Sequence, residues 1–138
     1  MAIIAPFKGL TYNFHERKDL FRLVAPPYDV ISPEAQASYY QADPHNVIRL
    51  ILGKKKTGDS DWDNRYTRAA DFFQRWQSDG TLIRAKEPCL YLTAMTYDPG
   101  NGDPQRVRWG LIALVRIEEA GSRVILPHER TFSAHKND

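Results

Sequence analysis

Cysteine is almost absent: Cys89 stands alone in 138 residues. Without a second thiol there is no internal disulfide and no Cys-x-x-Cys motif, and the chain reads as cytoplasmic, with Cys89 a small buried residue beside Pro88. Long apolar runs are also missing. The longest aliphatic stretch is Leu111-Ile112-Ala113-Leu114-Val115, far short of the roughly 20 residues of a membrane helix. The opening Met1-Ala2-Ile3-Ile4-Ala5-Pro6 has no basic segment and no long apolar core, so it is not expected to be a secretion signal. Nor does one sign of charge dominate: 19 basic and 17 acidic residues leave +2. The one basic run, Lys54-Lys55-Lys56, is answered by Asp59, Asp61 and Asp63. Phosphate neutralisation needs several aligned cations, so this balance argues against a nucleic-acid partner and for a solvated loop.

What is present is enough apolar residue, 42% against 26% charged, to build one core and to exclude wholesale disorder. Residues 1–138 are expected to form a single α+β domain. Prolines 6, 26 and 27 hold the first thirty residues in extended segments and turns. Ser32-Pro33-Glu34 carries a helix cap followed by proline at the first helical position, which predicts a helix to about Ala42, stopped by Asp43-Pro44. The apolar, β-branched run Val47-Ile48-Arg49-Leu50-Ile51-Leu52 predicts a mostly buried strand. From about Asp61 to Ser78 the period turns helical, with Tyr66, Ala69, Ala70, Phe73 and Trp76 or Gln77 on one face and Gly80 as the stop. The last third predicts a long hairpin: a strand over 90–97, a turn over 98–104 and a return strand over 105–117. A turn over 118–121 leads to a further extended stretch at 123–126. The sum is a mixed or mainly antiparallel sheet with the one amphipathic helix packed on a face.

Several chemical motifs fail outright. Gly53-Lys54-Lys55-Lys56-Thr57-Gly58 lacks the glycine that a phosphate-binding loop needs five positions earlier, where Ile48 stands. There is no Gly-x-Ser-x-Gly elbow and no His-Glu-x-x-His, and the four scattered histidines argue against a structural zinc site. Two clusters survive. Ala25-Pro26-Pro27-Tyr28-Asp29-Val30-Ile31-Ser32 places Tyr28 and Asp29 at a rigid corner. There Asp29 serves as base, acceptor or Mg²⁺ ligand, or else Tyr28 packs and Asp29 caps. Leu126-Pro127-His128-Glu129-Arg130-Thr131 reads as a strand end, a sharp turn and a helix start, which gathers free backbone N–H groups into an anion site. In it His128 can donate to phosphate or shuttle a proton, Glu129 can activate a hydroxyl or hold a metal, and Thr131 can cap or touch phosphate; alternatively these side chains satisfy one another. Arg49, inside its expected strand, must pair with Asp29 or Glu129 or face a bound anion.

Taken together, Ile4-Ala5-Pro6-Phe7-Lys8-Gly9, Ala25-Pro26-Pro27-Tyr28-Asp29-Val30-Ile31-Ser32, His45-Asn46-Val47-Ile48-Arg49-Leu50 and Pro127-His128-Glu129-Arg130-Thr131 resemble the bacterial domain-of-unknown-function family numbered one thousand and fifteen. Members of that family are longer, and their His-Glu-x-Thr motif runs into Lys-x-Asp-Arg. Lys136-Asn137-Asp138 matches only the start of that continuation, which implies an N-terminal part of a longer protein. A more distant similarity is to the ParB and sulfiredoxin-like group, which includes nucleotide-binding partition proteins and free-serine kinases. It implies a ParB/sulfiredoxin-like fold and phosphate contacts from a His-, Glu- and Arg-rich turn. A sulfiredoxin reaction needs a cysteine beside that turn, and Cys89 is remote from it in sequence.

These residues and resemblances lead to an expectation of nucleotide-dependent phosphotransfer to a small hydroxylated metabolite, with an amino acid such as serine as one acceptor. His128, Glu129 and Asp29 would be catalytic, Arg130, Thr131, Arg49 and Tyr28 would bind the nucleotide, and ATP or ADP with Mg²⁺ would be the cofactor. The alternative is a non-catalytic module that senses a nucleotide or metabolite or docks onto DNA.

Overall fold

A computed structural model describes residues 1–16, 19–100, 102–119 and 121–126. They fall into two compact units, Leu10–Ala85 on one side and Met1–Gly9 with the chain from Lys86 onward on the other.

In the unit of residues 10–85 the core gathers around Trp76, Leu23, Ile48 and Leu82. Strand β2 (Leu10–Tyr12) pairs antiparallel with β3 (Leu82–Arg84), Tyr12 opposite Leu82. Strand β3 has too few residues to give a sequence period, and it was not anticipated. Two single 3₁₀ turns, Leu20–Arg22 and Tyr28–Val30, carry the chain to helix α1 (Pro33–Ala42). That helix begins where expected: the Ser32 Oγ accepts from the Ala35 N–H at 3.2 Å, and Pro33 occupies the first turn. Asp43, in extended conformation, ends it.

The strand expected over 47–52 is instead a helical turn, α2 (Ile48–Ile51). The reversal starts upstream. The Asp43 Oδ1 accepts from the His45 N–H at 2.7 Å, and the Asn46 Oδ1 accepts from the Ile48 N–H at 2.9 Å. Those two side chains turn the backbone before a strand can start, and β-propensity yields to local side-chain bonding. Only Ile48 of the apolar run is fully buried, while Ile51 remains largely exposed.

Helix α3 (Arg65–Ser78) starts four residues later than its period suggests, because Asn64 caps it. The Asn64 side chain accepts from the Tyr66 and Thr67 N–H groups, and the Thr67 Oγ1 accepts in return from the Asn64 N–H at 2.9 Å, a reciprocal box that satisfies the orphan donors of the first turn. Its inward side is also rotated from expectation. Ala69, Phe72 and Trp76 face in, whereas Tyr66, Ala70 and Phe73 are exposed. The helix packs on α2 and β3, not on the face of a broad sheet. Gly80, at φ +78°, closes it in a conformation that favours glycine.

In the other unit, β1 (Ile4–Ala5) pairs antiparallel with β6 (Leu114–Val115). Strands β4 (Tyr91–Tyr97) and β5 (Arg106–Ile112) form the expected hairpin in continuous register from Tyr91 opposite Ile112 to Tyr97 opposite Arg106. The return strand is shorter than expected, because after Ala113 the chain leaves β4 and pairs with β1. Phe7 and Cys89 exchange backbone hydrogen bonds at 3.0 Å. Cys89 is exposed, not buried, since it sits on a lone bridge outside any packed layer. The Tyr91 hydroxyl accepts from the Gly9 N–H at 2.7 Å, and a Cβ at position 9 would lie 2.7 Å from that oxygen. Residues 123–125 bend instead of continuing as a strand, with Arg123 at φ +55° breaking the extended run.

The fold is therefore α+β; among the described residues it is built from three separate two-stranded antiparallel pairs and a few helices in place of one sheet. Among the described residues no helix is long and apolar enough to cross a membrane.

Candidate functional site

The corner at Tyr28-Asp29 is built from backbone chemistry. Pro27, at φ −52° and ψ 141°, holds the chain extended up to residue 28. The chain then folds into the 3₁₀ turn, closed by the Val30 N–H donating to the Pro27 carbonyl at 3.2 Å. Tyr28 is half exposed and Asp29 exposed, so Tyr28 does not pack into the core. Helix capping falls to Ser32, which leaves the Asp29 carboxylate with no hydrogen bond or ion pair among the described residues. The corner thus presents an uncommitted acid and a phenol on one short, conformationally restricted turn.

The His45-Asn46-Val47-Ile48-Arg49-Leu50 motif does different work. Asn46 is completely buried and fully bonded. Its amide donates to the Arg22 and Val24 carbonyls at 2.7 and 3.0 Å while its oxygen accepts from Ile48. The His45 ring lies 5.7 Å from that of Trp76, and the His45 carbonyl accepts from the Tyr12 hydroxyl at 2.7 Å. Arg49, on a helical turn and not in a strand, donates to the Asp43 and Tyr40 carbonyls at 2.7 and 2.9 Å, and its guanidinium stacks 4.5 Å from the Tyr40 ring centre. A cation over the last carbonyls of α1 complements the helix dipole. Of the two carboxylates considered as partners for Arg49, Asp29 makes no bond to it, and Glu129 lies outside the described residues. His128, Arg130 and Thr131 lie outside them as well.

Sequence reasoning missed two features. Arg68 binds both oxygens of Asp59 (2.9 and 3.1 Å), Asp63 Oδ1 at 2.7 Å and the Lys54 carbonyl at 3.0 Å. This clasp ties the polar loop to α3, and the guanidinium holds the Asp59 carboxyl below its ordinary range. The lysine run at 54–56 followed by Asp59, Asp61 and Asp63 was the available signal, but it does not say which cation closes the clasp. The second is an open, mainly apolar cleft of about 570 Å³ lined by Val115, Ile117, Ile125, Arg116, Glu118 and Ser122. Leu126, one residue beyond it, is followed directly in sequence by Pro127-His128-Glu129-Arg130-Thr131. Among the described residues no three His, Cys, Asp or Glu side chains gather as a metal site.

No curated protein and no solved structure matches the chain. A family model described as "Protein of unknown function (DUF1015)" matches residues 4–138, which takes in all four motifs, from Ile4-Ala5-Pro6 to His128-Glu129-Arg130-Thr131. The chain belongs to the DUF1015 family.

Proposed function

We propose that this domain binds a nucleotide and passes its terminal phosphoryl group to the hydroxyl of a small metabolite, with an amino acid such as serine as a candidate acceptor. The observation that supports this reading is the Asp29 carboxylate, held at a proline-restricted corner and spared both helix capping and ion pairing. Phosphoryl transfer asks a protein for positioning, charge neutralisation and a base. In this reading Arg130, Thr131 and His128 hold phosphate oxygens, Tyr28 offers its ring to the nucleotide, and Asp29 orients the acceptor. Glu129 takes the acceptor's proton as its oxygen bonds to phosphorus and the nucleoside diphosphate leaves. Arg49 contributes indirectly, through the α1 carbonyls it holds. Mg²⁺ bound with a nucleotide needs only one or two protein carboxylates, because phosphate and water oxygens complete its shell. Asp29, exposed and unpaired, fits that modest demand.

The alternative is a module that binds a nucleotide or metabolite, or docks onto DNA, without turnover. In either reading the guanidinium of Arg49, already engaged by backbone carbonyls, is no ready phosphate ligand.

The test is thermal denaturation with ATP, ADP, CTP and GTP, with and without Mg²⁺, followed by an assay for nucleoside diphosphate release in the presence of serine. A nucleotide at about 100 times its dissociation constant is expected to raise the melting temperature by several degrees. Asp29→Asn and Glu129→Gln, with unchanged circular dichroism, should abolish turnover. A shift without turnover in the native chain would select the binding module. No shift with any nucleotide would overturn the nucleotide reading in both forms.

A further inference from the structure

Three consecutive carbonyls, those of Arg22, Leu23 and Val24, accept hydrogen bonds from two consecutive residues, Asn46 and Val47. The Asn46 amide donates to Arg22 and Val24 at 2.7 and 3.0 Å, and the Val47 N–H donates to Leu23 at 2.8 Å. Leu23 and Asn46 are both buried. Beyond Val24 the chain is exposed from Pro26 to Val30, and among the described residues no hydrogen bond joins 25–31 to another element. It is stiff nonetheless. Proline fixes φ at residues 26 and 27 and restricts residues 25 and 26, each followed by a proline, to extended conformations. Three such residues make an arm of about 9 Å, with Tyr28 and Asp29 at its tip and the bonds from Asn46 at its root.

We infer, resting on the reading of Asp29 as the group that orients the acceptor, that Asn46 is a positioning residue for that carboxylate. An arm this stiff does not absorb a disturbance at its root. It delivers the disturbance to the tip, where a misplacement of about 1 Å can lower a rate roughly a hundredfold. A side chain that merely turned the backbone into α2 would need only its oxygen. The Asn46 oxygen does this, accepting from the Ile48 N–H at 2.9 Å, while its NH2 group supplies the root of the arm. An aspartate could accept from Ile48 equally well, but its carboxylate has no proton to give to two carbonyls. The amide is therefore fitted to the arm as well as to the helical turn.

The test measures the tip directly, in the whole chain. NMR order parameters of the Tyr28, Asp29 and Val30 amides should lie close to the roughly 0.85 of rigid backbone, and in Asn46→Ala they should fall below about 0.6, with those of α3 unchanged. Asn46→Ser, which keeps a single, shorter donor, serves if the alanine variant does not fold. Leu82→Ala removes buried side-chain packing on β3 and leaves the anchoring bonds in place, so it controls for lost stability. Its order parameters at 28–30 should match the native ones. Pro26→Gly with Pro27→Gly should loosen the tip, and adding Asn46→Ala should then loosen it no further, because the stiff link is gone. In the serine assay Asn46→Ala should turn over at least tenfold more slowly than Leu82→Ala, both at a temperature where circular dichroism shows them folded. Native-like order at 28–30 in the folded Asn46 variants, an equal fall in Leu82→Ala, or equally slowed turnover in Asn46→Ala and Leu82→Ala would each overturn the inference. A tip loosened in Asn46→Ala, in a protein whose native chain turns over no acceptor, would uphold the anchor and overturn the phosphotransfer reading instead.

Discussion

At position 46 one amide serves three backbone groups: the carbonyls of Arg22 and Val24 accept from it, and the Ile48 N–H donates to it. Buried groups deprived of partners incur their full desolvation penalty. Asn46→Ala should therefore lower stability by about 2–3 kcal/mol in urea titrations. Asn46→Asp should cost more, since it sets a carboxylate against two carbonyl oxygens. Asp59 makes a second case, in which the sign of a pH effect is determined. Arg68 lowers its folded pKa, so the stabilisation is complete above the ordinary carboxylate range and is lost as pH falls through the folded value. Arg68→Met should bring down the urea midpoint at neutral pH, and its deficit against the native chain should shrink on acidification to about pH 3. A deficit that stays constant with pH would show that the clasp acts by packing alone.

Among the elements, α1 was legible because Ser32, Pro33 and Asp43-Pro44 are local signals whose effect needs no tertiary partner. The hairpin was legible for the same reason, from two extended runs joined by a glycine- and proline-rich turn. The α2 turn was not. Its residues are apolar except Arg49, two of them β-branched, and the information that overrides them sits in Asp43 and Asn46, side chains that bond forward into the backbone. The inward side of α3 was misplaced by one residue, since both Phe72 and Phe73 satisfy a helical period and only the position of α2 and β3 chooses between them. At the candidate site, the proline-restricted corner could be read directly. The roles of Asn46 and Arg49 could not, because each bonds to carbonyls 6 to 24 residues away in sequence.

Across the whole chain, burial is uneven. Every fully buried apolar side chain among the described residues belongs to residues 10–85. Hydrogen exchange should accordingly be slowest there, at the amides of α3 and of the β2–β3 pair, while those of the β4–β5 hairpin exchange sooner, because opening free energy follows buried apolar contact. If the hairpin amides were instead the slowest at low micromolar concentration, this account of where the stability lies would fail. The three tryptophans offer an optical counterpart: Trp76 is shielded, whereas Trp62 and Trp109 meet solvent, so a soluble quencher should reach the latter two first.

The close approach of Gly9 to the Tyr91 hydroxyl has a bearing on how such a sequence can drift over generations. Any side chain at position 9 would collide with the ring at 91, and loss of the hydroxyl would strand the amide it receives. The two sites are 82 positions apart, yet neither is free to vary alone. A lineage that abandons the glycine avoids the collision only if residue 91 shrinks as well, so the pair should appear in descendants as a linked exchange.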